Sequence, residues 1–200
     1  MNHSMLSTLR TLLVLTLLLL AGLAATFIYK PQSVPKLGSL GGNFTLQSHQ
    51  GDVSLTDFKG KVVAIYIGYA SCPDVCPTAL AVMTQAFKTL SEDERQKVQG
   101  IFISVDPERD TPEKLQAYAN FFSPLIVGVT GTQAEIDQVV KQYGAFYRKV
   151  ALADSAMGYA VDHSSRIYLI DQEGVLNKTL LHNSTPNDLL TDIRTLLSTQ

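Results

Sequence analysis

The sequence predicts an α/β domain, a sheet of buried strands with helices on both faces, behind an N-terminal membrane-spanning helix. Three observations carry this. Apolar β-branched runs alternate with helical apolar stripes from residue 61 onward. One of those runs feeds directly into GYASCPDVCPTAL, which holds both cysteines of the chain, Cys72 and Cys76. Nineteen residues near the N-terminus, 11–29, contain no charge.

The 11–29 run, TLLVLTLLLLAGLAATFIY, lies between Arg10 and Lys30. At 1.5 Å per residue it spans roughly 28 Å, close to a bilayer core. A helix apolar on every face is not the pattern of a helix at the edge of a soluble core. Its length also exceeds the ~7–15 residues of a signal-peptide core. Residues 1–10 are thus read as a tail and 11–29 as a single-pass anchor. Residues 30–42, KPQSVPKLGSLGG, are a Pro/Gly linker that reaches up to ~40 Å if extended. The folded domain is expected at 43–200. A short tail before a large domain places that domain outside the cytoplasm.

Within the domain, 44–46 and 53–55 alternate around a polar turn and read as a hairpin. Residues 61–69, KVVAIYIGY, suit a central strand covered on both faces. Leu80, Met83, Phe87 and Leu90 form a helical stripe, and 98–105 is a second buried strand. Thr111, Pro112 and Glu113 open a helix as cap, first residue and first-turn acid. Residues 125–129 read as a strand. Thr132 and Glu135 form a capping box before Ile136, Val139, Val140 and Tyr143, with Gly144 as the stop. Residues 145–161 are irregular, with a hairpin suggested by FYRKV and GYAV. Residues 166–170 and 175–180 pair across a turn. Thr185, Pro186 and Asp188 start a last helix. A buried strand, a dithiol loop and a helix in succession make a thioredoxin-like arrangement with inserted β-hairpins.

Composition excludes several classes. With 46% hydrophobic and 17% charged residues the chain can bury a core. A net charge of −2 implies no basic face, so nucleic acid is not an expected partner. Two cysteines cannot make a disulfide scaffold.

The chemistry centres on Cys72 and Cys76. Their C-x-x-x-C spacing is one residue longer than the redox C-x-x-C. Pro73 and Pro77 disfavour helix at both cysteines, so the pair is expected in a loop. Spacing alone leaves a disulfide and a metal both open. Two thiolates are soft ligands that select Cu(I) or Zn(II). A closed zinc site wants four ligands, whereas two sulfurs and one imidazole suit trigonal copper. Of four histidines, His3 precedes the predicted span, and His49 and His182 are expected on the surface. His163, at the entry to an apolar strand, is the candidate third ligand. Asp162 should point to the opposite face.

Three segments together resemble the Sco/SenC family of copper-binding proteins: GYASCPDVCPTAL, ISVDPERDTPE at 103–113, and VDHSSRIYLID at 161–171. The resemblance implies a thioredoxin-like fold, with copper held as Cu(I), or Cu(II) in another geometry, by Cys72, Cys76 and His163. It further implies a metallochaperone that is loaded by an upstream copper donor. Such a chaperone assists assembly of the CuA centre of cytochrome c oxidase subunit II, anchored in a bacterial inner membrane and facing the periplasm. Asp106, Glu108 and Arg109 match the family's acidic loop, and a structural or solvated role is expected for them. The alternative is a thiol-disulfide reductase, with Cys72 and Cys76 as a redox pair that keeps the partner's cysteines reduced. A peroxidase is disfavoured, because Tyr69 stands where peroxiredoxins have threonine.

Overall fold

The computed structural model describes residues 3–28, 40–153, 155 and 157–199. It divides into two compact units, Met1–Val34 and Pro35–Gln200. The first contains helix α1, His3–Ile28, whose leucines from Leu9 to Leu20 are exposed. Among the described residues no helix is long and apolar enough to cross a membrane. Tyr29, the last residue of the predicted span, and 30–39 of the predicted linker lie outside the described residues.

The second unit opens with a hairpin, β1 (Thr45–Ser48) and β2 (Gly51–Ser54), closed by a two-residue turn. A 3-10 turn, Leu55–Phe58, leads to β3, Val62–Gly68. Every residue of β3 is buried, as its unbroken apolar run requires of a central strand. Helix α2, Val75–Thr89, follows and buries Leu80, Met83 and Phe87. A short helix, α3 (Glu92–Gln96), was not anticipated; Ser91 and Glu94 close a capping box at its start. Next come β4 (Val98–Ser104), α4 (Pro112–Phe122), β5 (Ile126–Val129) and α5 (Gln133–Gln142). Thr111 and Thr132 cap α4 and α5 as their sequences predict. Gly144 ends the α5 segment at φ 61°, the left-handed conformation that glycine adopts without strain.

The suggested hairpin is a two-stranded ribbon, β6 (Tyr147–Ala151) with β7 (Tyr159–His163). Then β8 (Arg166–Ile170) and β9 (Leu176–Leu181) pair antiparallel, and α6 (Pro186–Ser198) closes the chain.

Five strands form one sheet in the order β5-β4-β3-β8-β9. The first three are parallel, while β8 runs antiparallel to β3. Side chains alternate across a sheet, which fixes the two layers. Tyr66 and Phe102 stack on the face that packs α2 and α4, where Phe102 meets Tyr118. Tyr168 pairs with Ile65, one residue out of phase with Tyr66, and so faces the other side. There it meets Tyr143, at the end of α5, edge to face. Both faces are covered, as expected.

The antiparallel β3–β8 pairing positions the site. Tyr66 lies opposite Ile167, so the start of β8 stands beside the end of β3. His163 and the cysteines therefore reach the same sheet edge although 87 residues separate His163 from Cys76.

Candidate metal centre

Cys72 and Cys76 are positioned by different elements. Cys72 follows a turn in which its N–H bonds the Tyr69 carbonyl at 3.2 Å. Cys76 lies inside the first turn of α2, with Asp74 as N-cap. This corrects the expectation that both occupy a loop. First-turn N–H groups have no intrahelical partner, so Pro77 removes no hydrogen bond there.

Both cysteines are free and buried. Gly68 makes room for the second: a Cβ at Gly68 would stand 2.5 Å from Cys76 Sγ. The end of β3 must therefore be glycine for the sulfur to lie against the backbone.

His163 Nε2 is 3.3 Å from Cys76 Sγ. Its Nδ1 lies 3.3 Å from the Ser164 carbonyl. Donation of an Nδ1–H to that oxygen leaves the Nε2 lone pair toward the sulfurs. Two buried tyrosines flank the ring edge to face, Tyr66 at 6.1 Å and Tyr69 at 5.8 Å between centroids. The ligand-capable atoms of Cys72, Cys76 and His163 all lie within 4.8 Å of one another. No other cluster of three or more metal-ligating side chains occurs among the described residues.

The two thiols share one proton unequally. A hydrogen bond from the Cys76 thiol, opposed by burial and aided by His163 and the Asp74 and Cys76 backbone, holds Cys72 well below the usual thiol range. Burial, then the neighbouring Cys72, push the Cys76 thiol far above its ordinary value. The pair titrates as a unit: one thiolate forms readily, and the second proton leaves when something stabilises both charges. A soft cation supplies that stabilisation. Two buried sulfurs and one half-buried nitrogen, convergent, fit Cu(I) better than a hard ion.

The remaining predicted positions fall elsewhere. Asp162 points away from the sulfurs and pairs with Arg148 at 2.8 Å. His49 is 3.6 Å from Glu113 at the surface, and His182 is exposed. In the acidic loop Asp106 and Asp110 are fully buried and hydrogen bonded, whereas Glu108 is exposed and pairs with Lys149 at 2.7 Å. Sequence reasoning missed Gly68, Tyr66, Tyr69, Ser164 and Asp110. Only Gly68 carried a local signal, a glycine ending an otherwise β-branched and aromatic run.

A thioredoxin-like sheet with a Cys-Cys-His cluster at one strand end defines the class of this protein. The SCO1/SenC family profile matches residues 33–198, and the chain belongs to that family. It is 36% identical over 156 residues to a SCO2-like protein of Rickettsia conorii, covering 78% of this chain and 76% of that protein. It superposes on Bradyrhizobium japonicum ScoI, solved with copper bound, at a TM-score of 0.71 and 37% identity. That match covers 79% of this chain and 99% of ScoI. BsSco, a member of the Sco family of cytochrome c oxidase assembly proteins in which a disulfide switch was identified, matches at 0.64 and 27% identity. There the coverage is 84% of this chain and 98% of BsSco.

Proposed function

We propose that this chain is a membrane-anchored copper metallochaperone. It binds copper through Cys72, Cys76 and His163 and assists assembly of the CuA centre of cytochrome c oxidase subunit II. The observation that carries this is the convergence of two thiols and one imidazole within 4.8 Å at one strand end. Three donors leave a copper ion open to a partner's ligands, so the metal can pass by exchange from a donor and on to an acceptor. The copper-bound ScoI relative supports the metal, and the assembly role of BsSco's family supports the oxidase as destination. The uncharged 11–29 run supports the anchor, with the domain on the periplasmic side of a bacterial inner membrane.

The test is an anaerobic Cu(I) titration of the detergent-solubilised full chain, with X-ray absorption on the product. One copper per chain with two sulfur neighbours and one nitrogen neighbour is expected. A His163→Ala variant that still binds tightly and still matures the oxidase would sink the three-donor site.

A second activity is favoured by the readily formed Cys72 thiolate. Cys72 attacks one sulfur of a partner disulfide and releases the other as thiolate. Cys76, giving up its proton, then attacks the Cys72 sulfur of the mixed disulfide and displaces the partner's remaining sulfur as thiolate. The two partner thiolates take up the Cys76 proton and one from water, so the partner gains two electrons as two thiols while Cys72 and Cys76 lose two in forming a disulfide. Loss of copper with retention of this reduction in His163→Ala would separate the two activities.

A further inference from the structure

Asp106 and Asp110 are both fully buried in the loop between β4 and α4, and neither belongs to the Cys-Cys-His cluster. A buried carboxylate is costly unless its oxygens are paired. Their partners lie on the two arms of the metal centre.

Asp110 serves the thiol arm. Its Oδ2 accepts from the Ala70 N–H at 2.7 Å and from Ser104 Oγ at 2.7 Å. Its Oδ1 accepts from Lys114 Nζ at 2.8 Å, and the same ammonium reaches Ser71 Oγ at 3.3 Å. Ala70 and Ser71 are the residues that lead into Cys72. Asp106 serves the imidazole arm. Its Oδ1 accepts from the Tyr159 hydroxyl at 2.6 Å, and its Oδ2 from Arg109 Nε at 2.5 Å. Arg109 Nη1 also donates to the Met157 and Tyr159 carbonyls at 3.1 and 2.9 Å, and its guanidinium stacks 3.7 Å over the Tyr159 ring. Tyr159 begins the strand that His163 ends. The Ser104 hydroxyl joins the halves, donating to Asp110 while accepting from the Asp106 N–H at 3.1 Å.

We propose that the 106–110 loop is a two-armed clasp in which Asp106 and Tyr159 are positioning residues for His163, while Asp110 positions the dithiol turn. The arms differ in their other supports. Cys76 is built into α2, and β3 anchors the turn before Cys72. The β6–β7 ribbon pairs only with itself and is not part of the five-stranded sheet. A lone two-stranded ribbon is marginal in water, so beyond the junction with β8 and the buried Val161 its side-chain tethers hold the strand that carries His163. Those tethers are Tyr159 to Asp106, the Met157 and Tyr159 carbonyls to Arg109, Lys149 to Glu108, and Tyr147 to Asp137 and Gln133 of α5. Of these only the first ends on a buried carboxylate.

The clasp rests on the Cys-Cys-His reading for its copper consequence, and its geometry can be tested without metal. Tyr159→Phe removes one hydroxyl and keeps the ring under Arg109. Amide hydrogen exchange on the metal-free full chain in detergent should quicken along β6 and β7 in this variant and stay unchanged at 69–72. Asp110→Asn should do the reverse. Equal effects on both arms, or none on either, would overturn the clasp. In anaerobic Cu(I) competition, Tyr159→Phe should weaken binding by up to roughly tenfold, the lower end of the cost of losing a group bonded to the ligand itself, because the hydroxyl acts on His163 through the strand. In a His163→Ala background it should weaken binding no further. An equal loss in both backgrounds would mean the hydroxyl does not act through the imidazole, and the positioning role falls. If His163→Ala alone binds copper like the parent chain, the three-donor reading fails, and hydrogen exchange alone decides the clasp.

Discussion

Gly68 shows how a residue without a functional group can set a metal centre. Its missing side chain is the space that the Cys76 sulfur occupies, and Tyr66 and Phe102 close the same space at 3.1 and 3.3 Å from an added Cβ. Tyr66, Cys76 and Phe102 are fully buried, so a shift of any of them disturbs the packed core. Gly68→Ala should therefore destabilise the domain by about 1–3 kcal/mol, the range for overpacking a closed core. It should also weaken Cu(I) binding, because the relief available to the methyl group is displacement of Cys76. Urea unfolding and Cu(I) titration of the variant check both. Unchanged stability and unchanged copper affinity would mean that the strand end is more compliant than its packing indicates. His163 is a contrasting case. Its place at a strand entry was legible and the family resemblance implied that it meets the thiols, but the pairing that brings them together was not legible. That pairing, β8 antiparallel with β3, is a choice made by long-range packing rather than by local pattern.

At the scale of elements, locally encoded features were legible and long-range ones were not. The capping box at Thr132 with Glu135 and the helix start at Thr185 and Asp188 lie within one turn of chain, and both appear where the sequence places them, the second also as a capping box. The clasp joins residues 40 and 53 positions apart, and nothing in either segment alone announces it. Helix α3 was missed because five residues carry too little periodicity to register, yet it performs a docking role. Glu94, at its third position, takes Arg194 of α6 at 2.8 Å. Arg194 first, then the Ser91 backbone, hold the Glu94 carboxyl down to about 2. A carboxylate depressed in the folded state contributes stability above its unfolded value, and that contribution is lost as pH falls through the folded value. Glu94→Gln should therefore lower the urea midpoint at neutral pH, with the difference shrinking as pH drops from the ordinary carboxylate range, about 4–5, toward 2. A difference that stays constant across that range would assign the effect to shape and not to charge.

For the whole molecule, the centre joins a turn and the helix start beside it to the end of a ribbon 87 residues further along the chain. A metal bound there in the native state links them, and native-state binding raises stability by mass action. At a free Cu(I) level about a thousandfold above the dissociation constant, the gain is about 4 kcal/mol. For a domain of this size that corresponds to a rise of roughly 8–16 °C in Tm. Unfolded chains also expose Cys72 and Cys76 to Cu(I), and such binding subtracts from the gain. His163 is what the unfolded chain cannot bring to the same ion without closing a long loop. The shift should thus be largest in the parent chain and smaller in His163→Ala. It should be absent when both cysteines are serine, and calorimetry under anaerobic conditions reads all three. Equal shifts in the parent and His163→Ala would show that copper is held by the dithiol alone and that the ribbon's imidazole adds nothing to the folded state.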